Sequence, residues 1–210
     1  MGVQAGHRGL VRRQNRHGRA ALPATAAHST YYLRLREYAS LMSVLYDYFR
    51  APDSRSAIDW AIGPGGDWRQ YSGTGLDDHG ADWIDAKNLD PSVVLGQLIA
   101  FAQGVLFQAL SATPVLIWPD KQSWPPGEQR LGQQSPWDEG LFLEQLPDEW
   151  ITLLADIDDE QLPRLAQQWM SIEEISFADP DDAKDSIETF CALARRTRDH
   201  GHNLYCKSVV

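Results

Sequence analysis

The apolar residues of this 210-residue chain are distributed unevenly, and their distribution limits where a fold can begin. Residues 1–29 contain no Phe, Trp, Tyr or Ile and show no apolar periodicity, so this stretch has little to bury. From Thr30 onward, aromatic and aliphatic residues recur along the whole chain. The sequence therefore predicts a disordered basic arm over residues 1–29 and a single domain over residues 30–210, a length that one core can accommodate.

Charge divides the chain in a similar way. Residues 1–36 contain seven Arg and no Asp or Glu, and the whole chain has a formal charge of −10, so the remaining residues 37–210 carry −17. A body this acidic repels nucleic-acid phosphate and attracts a basic protein surface or a cation. We expect no nucleic-acid partner for the body, whereas a basic protein partner is compatible with its charge.

The Arg-rich arm is compatible with several origins. Arg12 and Arg13 resemble a twin-arginine signal, but no apolar region follows them, which disfavours export. An organellar transit peptide, a nonspecific nucleic-acid contact and translation from a start codon placed too far upstream stay open, and the last is favoured. The sequence does not decide whether residues 1–29 are a real arm.

No apolar run approaches the roughly 20 residues that a membrane-spanning helix needs. Residues 93–110 are the nearest case, but they include three Gln and two Gly. Cys191 and Cys206 are too few for a disulfide scaffold, so reduced thiols are expected. We predict a soluble, cytoplasmic protein without a membrane contact, a cofactor or a metal ion; the oligomeric state stays open.

The first half of the body combines strand and helix patterns. Residues 30–36 alternate apolar side chains with Arg34 and Arg36, which predicts a strand. A helix is predicted next, because apolar residues then recur at spacings of three and four, at Leu41, Val44, Leu45, Tyr48 and Phe49. Glycine-punctuated residues 58–90 predict short strands joined by turns. Asp90-Pro91 then opens a largely apolar helix over residues 92–110.

The second half is richer in helix. A short strand is predicted at residues 114–118, followed by a long loop at 119–136. Apolar residues then form one helical stripe, at Leu141, Phe142, Leu146, Trp150, Ile151 and Leu154. Pro147 is expected to separate this stripe into two helical pieces. A second stripe spans residues 162–172, and Asp179 caps a last helix that ends near Gly201. A strand at residues 203–210 completes an α+β fold, a small sheet in which the strands at the two ends of the body pair with or flank one another.

The densest polar cluster lies within residues 77–85, and its candidate catalytic residues are Asp77, Asp78, His79, Asp82 and Asp85. Carboxylates and an imidazole could hold a divalent cation or transfer protons if they converged. Their spacing matches neither an EF-hand nor an HExxH helix, and a solvated turn is the simpler interpretation.

Other chemical motifs are incomplete. His200 and His202 lie between Cys191 and Cys206, but paired zinc-binding Cys normally stand two to four residues apart, so buried thiols and a polar turn explain them better. The nucleophile motif GxSxG is absent, and residues 63–66 lack the Lys-Ser or Lys-Thr of a phosphate-binding loop. The sequence contains no catalytic signature.

Tryptophan is the most unusual part of the composition, with eight residues. Trp118, Trp124 and Trp137 lie at the edges and in the middle of the Pro-rich loop. If these rings are exposed, they could anchor a protein partner; if they are buried, they pin the loop to the core.

Two segments carry a resemblance to a known family. The basic helix end at Arg195 and Arg196, the turn at Gly201 and the closing strand to Val210 resemble the ending of the YfbM-like family of uncharacterised bacterial proteins. Residues 31–49 resemble the opening strand and helix of that family, so the resemblance covers about 40 residues. It implies a small α+β cytoplasmic fold and supplies no catalytic residues.

Together these observations favour a noncatalytic protein-binding module of a regulatory or immunity-like kind, with an acidic surface that engages a basic protein. The alternative is a small hydrolase or metal-dependent enzyme that uses the Asp/His segment 77–85.

Overall fold

The computed structural model describes residues 44–123 and 135–210. The basic arm, the strand expected at residues 30–36 and Trp124 lie outside the described residues. The strands are β1 Leu45–Ala51, β2 Asp82–Asp85, β3 Val115–Trp118, β4 Leu141–Gln145 and β5 Asn203–Val209. The helices are α1 Ser54–Ala61, α2 Gly75–Asp78, α3 Val94–Gln103, α4 Asp148–Asp156, α5 Leu162–Trp169 and α6 Pro180–Asp199. The prediction of an α+β fold is confirmed.

The five strands form one antiparallel sheet in the order β2-β1-β5-β4-β3. Strands β1 and β5 pair along their whole length, from Leu45 opposite Val209 to Ala51 opposite Asn203. The first and the last strand of the described chain are therefore neighbours in the sheet. The predicted strands at residues 114–118 and 203–210 are confirmed as β3 and β5.

The helix predicted around residues 41–49 is wrong over its described part, which is strand β1. Tyr46 and Tyr48 face one core cluster, whereas Phe49 and Ala51 face the other. A short run with apolar residues on both faces fits a central strand as well as a helix, and its three-and-four spacing does not separate the two. Pairing with β2 and β5 decides the outcome.

A second correction concerns residues 141–145, which were expected to continue the helical stripe. They form β4, and only Asp148–Asp156 is helical. Leu143 is fully buried against the second core cluster, which the alternation of a strand achieves. Pro147 stands at the N-terminal cap of α4, so it separates a strand from a helix and not the two helical pieces that were predicted.

A third correction concerns residues 58–90, which contain several short helical segments and one strand instead of a series of short strands. Asp53 accepts a hydrogen bond from the Ser56 amide at 2.8 Å and caps α1. Two 3₁₀ turns, Pro64–Gly66 and Trp68–Gln70, and the one-turn helix α2 follow. Only β2 is extended, because β1 gives it a pairing partner.

The helix start read from Asp179-Pro180 is confirmed, whereas the helix predicted to open at Asp90-Pro91 begins further along the chain, with Val93 as its N-cap residue. Asp90 accepts hydrogen bonds from the amides of Ser92 and Val93, and α3 begins at Val94. This helix ends earlier than predicted, because Gly104 adopts a left-handed conformation (φ 69°). The other start is α6, where the Asp179 carboxylate caps the amides of Asp181 and Asp182.

Helical segments cover both faces of the sheet. On one face, α3 to α6 share a core with Tyr48. Its large buried side chains include Trp150 of α4, Trp169 of α5 and Phe190 of α6. On the other face, α1 and its following turns pack on Phe49, Leu143 and Tyr205. Among the described residues, no helix is both long and apolar enough to cross a membrane.

Lys207 is the one Lys or Arg classed as buried among the described residues. Its side chain is 4% exposed, and its Nζ lies 2.6 Å from Asp47 Oδ2 on the neighbouring strand β1. The ammonium group also lies 5.5 Å from the centre of the Tyr71 ring. Removing one partner of a buried ion pair costs far more folding free energy than removing one partner of an exposed pair. The Lys207–Asp47 pair therefore favours the register in which β1 and β5 are paired.

We expect Lys207→Ala to lower the free energy of unfolding by about 3 kcal/mol, because Asp47 would keep its charge without a partner. Arg69→Ala is the control, since the Arg69–Asp67 pair is exposed and should contribute less than about 1 kcal/mol. Urea denaturation of both variants measures the difference. Equal losses would contradict the role given to Lys207.

Candidate binding cleft

The residues predicted as a catalytic cluster are positioned by contacts with α1. Gly75 opens α2 so close to α1 that a Cβ at this position would stand 2.2 Å from the Trp60 carbonyl oxygen. This approach places the His79 ring parallel to the Trp60 ring, with centroids 5.9 Å apart and an interplanar angle of 21°. His79 therefore stacks at the end of α2.

Different neighbours bind the carboxylates of this segment. Asp77 accepts a hydrogen bond from Trp83 Nε1 at 2.9 Å, and Asp78 accepts one from Thr74 Oγ1 at 2.9 Å. Asp85 is exposed at the end of β2, opposite Asp47 of β1. Within residues 44–123 and 135–210, no group of three or more His, Cys, Asp or Glu is arranged to hold a metal ion.

Asp82 joins three elements of the fold through two arginines. It accepts a hydrogen bond from Arg50 Nε at 2.8 Å and two from Arg196, at 2.7 Å from Nε and 2.9 Å from Nη2. The hydrogen bonds from Arg196, followed by the one from Arg50, hold the pKa of Asp82 below its usual range. Neither arginine was predicted as a partner of Asp82, because β1, β2 and α6 are far apart in the chain.

His202 extends this network. Arg50 Nη1 lies 3.0 Å from His202 Nδ1, and because a guanidinium only donates, Nδ1 accepts and the ring is neutral. Burial, the Arg50 charge and the nearby His200 lower the pKa of His202. His200 itself lies with Nδ1 2.8 Å from the Arg196 carbonyl oxygen. The two imidazoles thus belong to the turn that connects α6 to β5.

The remaining candidates lie in the interior. Cys191 and Cys206 are buried thiols, and burial raises the pKa of the Cys191 thiol to about 11. Trp118 and Trp137 are 8% and 6% exposed, and Trp137 Nε1 donates to Ser123 Oγ at 2.9 Å. These two indoles hold the flanks of the long loop against the core, which matches the buried alternative considered for them.

A cleft of about 620 Å³ opens beside the end of β2. The chain leaves β2 at Asp85, turns at Asn88 in the left-handed region (φ 62°) and enters α3. The segment between α5 and α6 forms the opposite wall. The lining residues are Val44, Tyr46, Asp85, Ala86, Lys87, Asn88, Leu89, Asp90, Val93, Val94, Glu174, Ile175, Ser176, Phe177 and Ser186.

The lining of this cleft combines an acidic rim with apolar walls. It includes three carboxylates, Asp85, Asp90 and Glu174, against one cation, Lys87. Of these carboxylates, Asp85 and Glu174 are exposed. Glu174 was not predicted as a site residue, because only the fold brings the α5–α6 connection against the β2–α3 turn.

Hydrogen bonds within the walls fix two of the carboxylates. Tyr46 Oη donates to Asp90 Oδ2 at 3.3 Å, while Asp90 Oδ1 accepts hydrogen bonds from the amides of Ser92 and Val93 just before α3. Gln97 Nε2 donates to Glu174 Oε2 at 3.0 Å and so ties the α5–α6 connection to α3. Glu174 is therefore oriented by a neutral donor while it stays exposed to solvent, so its negative charge can attract a cationic ligand.

Comparison with models of protein families found no match to this chain, and searches of curated proteins and of solved structures found none either. The resemblance to the YfbM-like family therefore stays a prediction.

The lowered pKa of His202 produces a specific pH dependence. The unfolded chain, with a His pKa of about 6.5, takes up the proton more readily than the fold does, so stability is lost as the pH falls below that value. We expect His202→Gln to reduce this loss. The Asp82 contribution is lost only below about pH 4, because its folded pKa is the lower one.

Urea denaturation of the wild type and His202→Gln between about pH 3 and pH 7.5 separates the two groups. The variant should show a shallower decline in the upper part of this range and the same decline below about pH 4. An unchanged profile in the upper range would contradict the assignment of His202 as a neutral acceptor.

Proposed function

We propose that this chain is a noncatalytic, cytoplasmic protein-binding module of a regulatory or immunity-like kind, and that its acidic cleft receives a basic segment of a partner protein. The observation that carries the proposal is the placement of Asp85, Asp90 and Glu174 around one cleft with apolar walls. The long side chains of Arg and Lys combine an apolar stem with a charged head, which suits such a surface.

The charge around the cleft supports this proposal. Ser186 of α6 lines the cleft, and one to two turns earlier α6 begins with the exposed residues Asp179, Asp181 and Asp182. The acidic lining thus continues along the start of a helix, within a body of −17. A negative field of this extent accelerates association with a basic partner and makes that association salt-dependent.

The alternative of a hydrolase or metal-dependent enzyme at residues 77–85 stays a prediction. In the structure, the Asp77, Asp78 and Asp82 carboxylates accept hydrogen bonds from Trp83, Thr74 and two arginines. These contacts tie the three carboxylates to the fold itself, whereas Asp85 and Glu174 are exposed at the rim of the cleft. The binding proposal is therefore the one that the geometry favours.

A titration with a defined ligand tests the proposal. The probe is a short fluorescein-labelled peptide of alternating Arg and Leu, and its control has Gln in place of Arg. We expect Asp85→Asn combined with Glu174→Gln to weaken binding of the Arg peptide roughly tenfold, at about 0.7 kcal/mol for each charge pair. Fluorescence anisotropy at low and high salt measures the affinity.

The matched control is Asp159→Asn combined with Glu160→Gln, which removes the same charge from exposed residues that do not line the cleft. This variant should bind the Arg peptide within about twofold of the wild type. Equal weakening in both double variants would show that the peptide responds to net charge alone and would overturn the cleft as its site.

A further inference from the structure

The start of the described chain forms part of the acidic cleft. Val44 is buried and lines the cleft, and Tyr46 on the same strand contributes its hydroxyl group to the cleft carboxylate Asp90. The residues that precede Val44 in the sequence are therefore joined covalently to a residue that lines the cleft. Because this connection is covalent, whatever precedes Val44 is present at high local concentration beside the carboxylates.

The sequence directly before Val44 has the composition that the cleft requires. Arg34 and Arg36 lie ten and eight residues before it, and they alternate with Leu33 and Leu35. Eight extended residues span up to about 27 Å, so Arg36 can reach any wall of a cleft that includes Val44. In an extended segment the arginines share one side and the leucines the other.

The two sides of such a segment match the two kinds of lining. Asp85 and Glu174 are exposed carboxylates that can accept hydrogen bonds from a guanidinium group. Val93, Ile175 and Phe177 offer apolar contacts for leucine side chains. The more distant arginines, from Arg8 to Arg19, are separated from Val44 by at least 24 residues, which lowers their local concentration.

We propose that residues 30–36 of the same chain occupy the acidic cleft and compete there with the basic segment of a partner. This inference rests on the proposed function, since it assigns an intramolecular competitor to the same site. A partner can then bind Asp85 and Glu174 only in those molecules whose own arginines do not occupy them. The affinity for the partner is reduced in proportion to the occupied fraction.

The experiment uses the full chain and its variant Arg34→Gln combined with Arg36→Gln. We expect the labelled Arg-Leu peptide to bind this variant about fivefold more tightly than the wild type, because the competitor is lost. In the absence of peptide, hydrogen exchange should be faster over residues 85–94 and 173–177 in the variant. The charge-conserving pair Arg34→Lys and Arg36→Lys should stay close to the wild type in both measurements.

Arg12→Gln combined with Arg13→Gln is the matched control, because it removes the same charge farther from the cleft. An equal gain in peptide affinity with this control would overturn the assignment to residues 30–36. Unchanged exchange and affinity in the Arg34/Arg36 variant would overturn the intramolecular contact while leaving the cleft as a partner site. If the Asp85→Asn/Glu174→Gln change leaves peptide affinity unaltered in the Arg34→Gln/Arg36→Gln background, where the competitor is absent, the proposed function itself fails.

Discussion

The antiparallel pairing of β1 with β5 is the interaction on which the rest of the structure depends. It joins residues about 160 positions apart and forms the middle of the sheet, on which the helices of both faces pack. Lys207 of β5 and Asp47 of β1 form an ion pair across the two strands, and the Lys207 side chain is almost fully buried. Loop closure over so long a separation is entropically costly, so this central pair must be stabilised by contacts on both of its faces.

The cleft follows from this central pair. β1 brings Val44 and Tyr46 to the point where β2 ends, and β2 turns through Asn88 into α3. Helix α6 crosses the same region, and its Arg196 binds Asp82 of β2 through two hydrogen bonds. The arginine network and the cleft therefore lie at opposite ends of one short edge strand. The former stabilises the strand, while the latter presents charge to solvent.

The fold class and the helix starts could be predicted from the sequence because local chemistry decides them. Asp179 caps α6 through nearby amides, Asp90 binds the amides of the turn before α3, and the turn at Gly201 ends α6 without help from distant residues. The strands β1 and β4 were misassigned, since both are buried on two faces and their apolar runs have no clear period of two.

The candidate site was harder to predict than the fold. The cluster at residues 77–85 is close in sequence, but Asp77, Asp78 and Asp82 turn to separate partners. Glu174 and Asp85 are nearly ninety residues apart, and only the packing of the α5–α6 connection against the β2–α3 turn brings them to one cleft. Sites built from such contacts leave no local pattern in a sequence.

The most direct measurement is a comparison of the tagged full chain with its Asp85→Asn/Glu174→Gln variant, both purified from the native host, with mass spectrometry of the co-eluting proteins and metal analysis of the same fractions. The account predicts a stoichiometric protein with a basic segment that is retained by the wild type and lost from the variant. Equal retention by both proteins, or a bound metal ion that disappears when His79 is replaced, would contradict it.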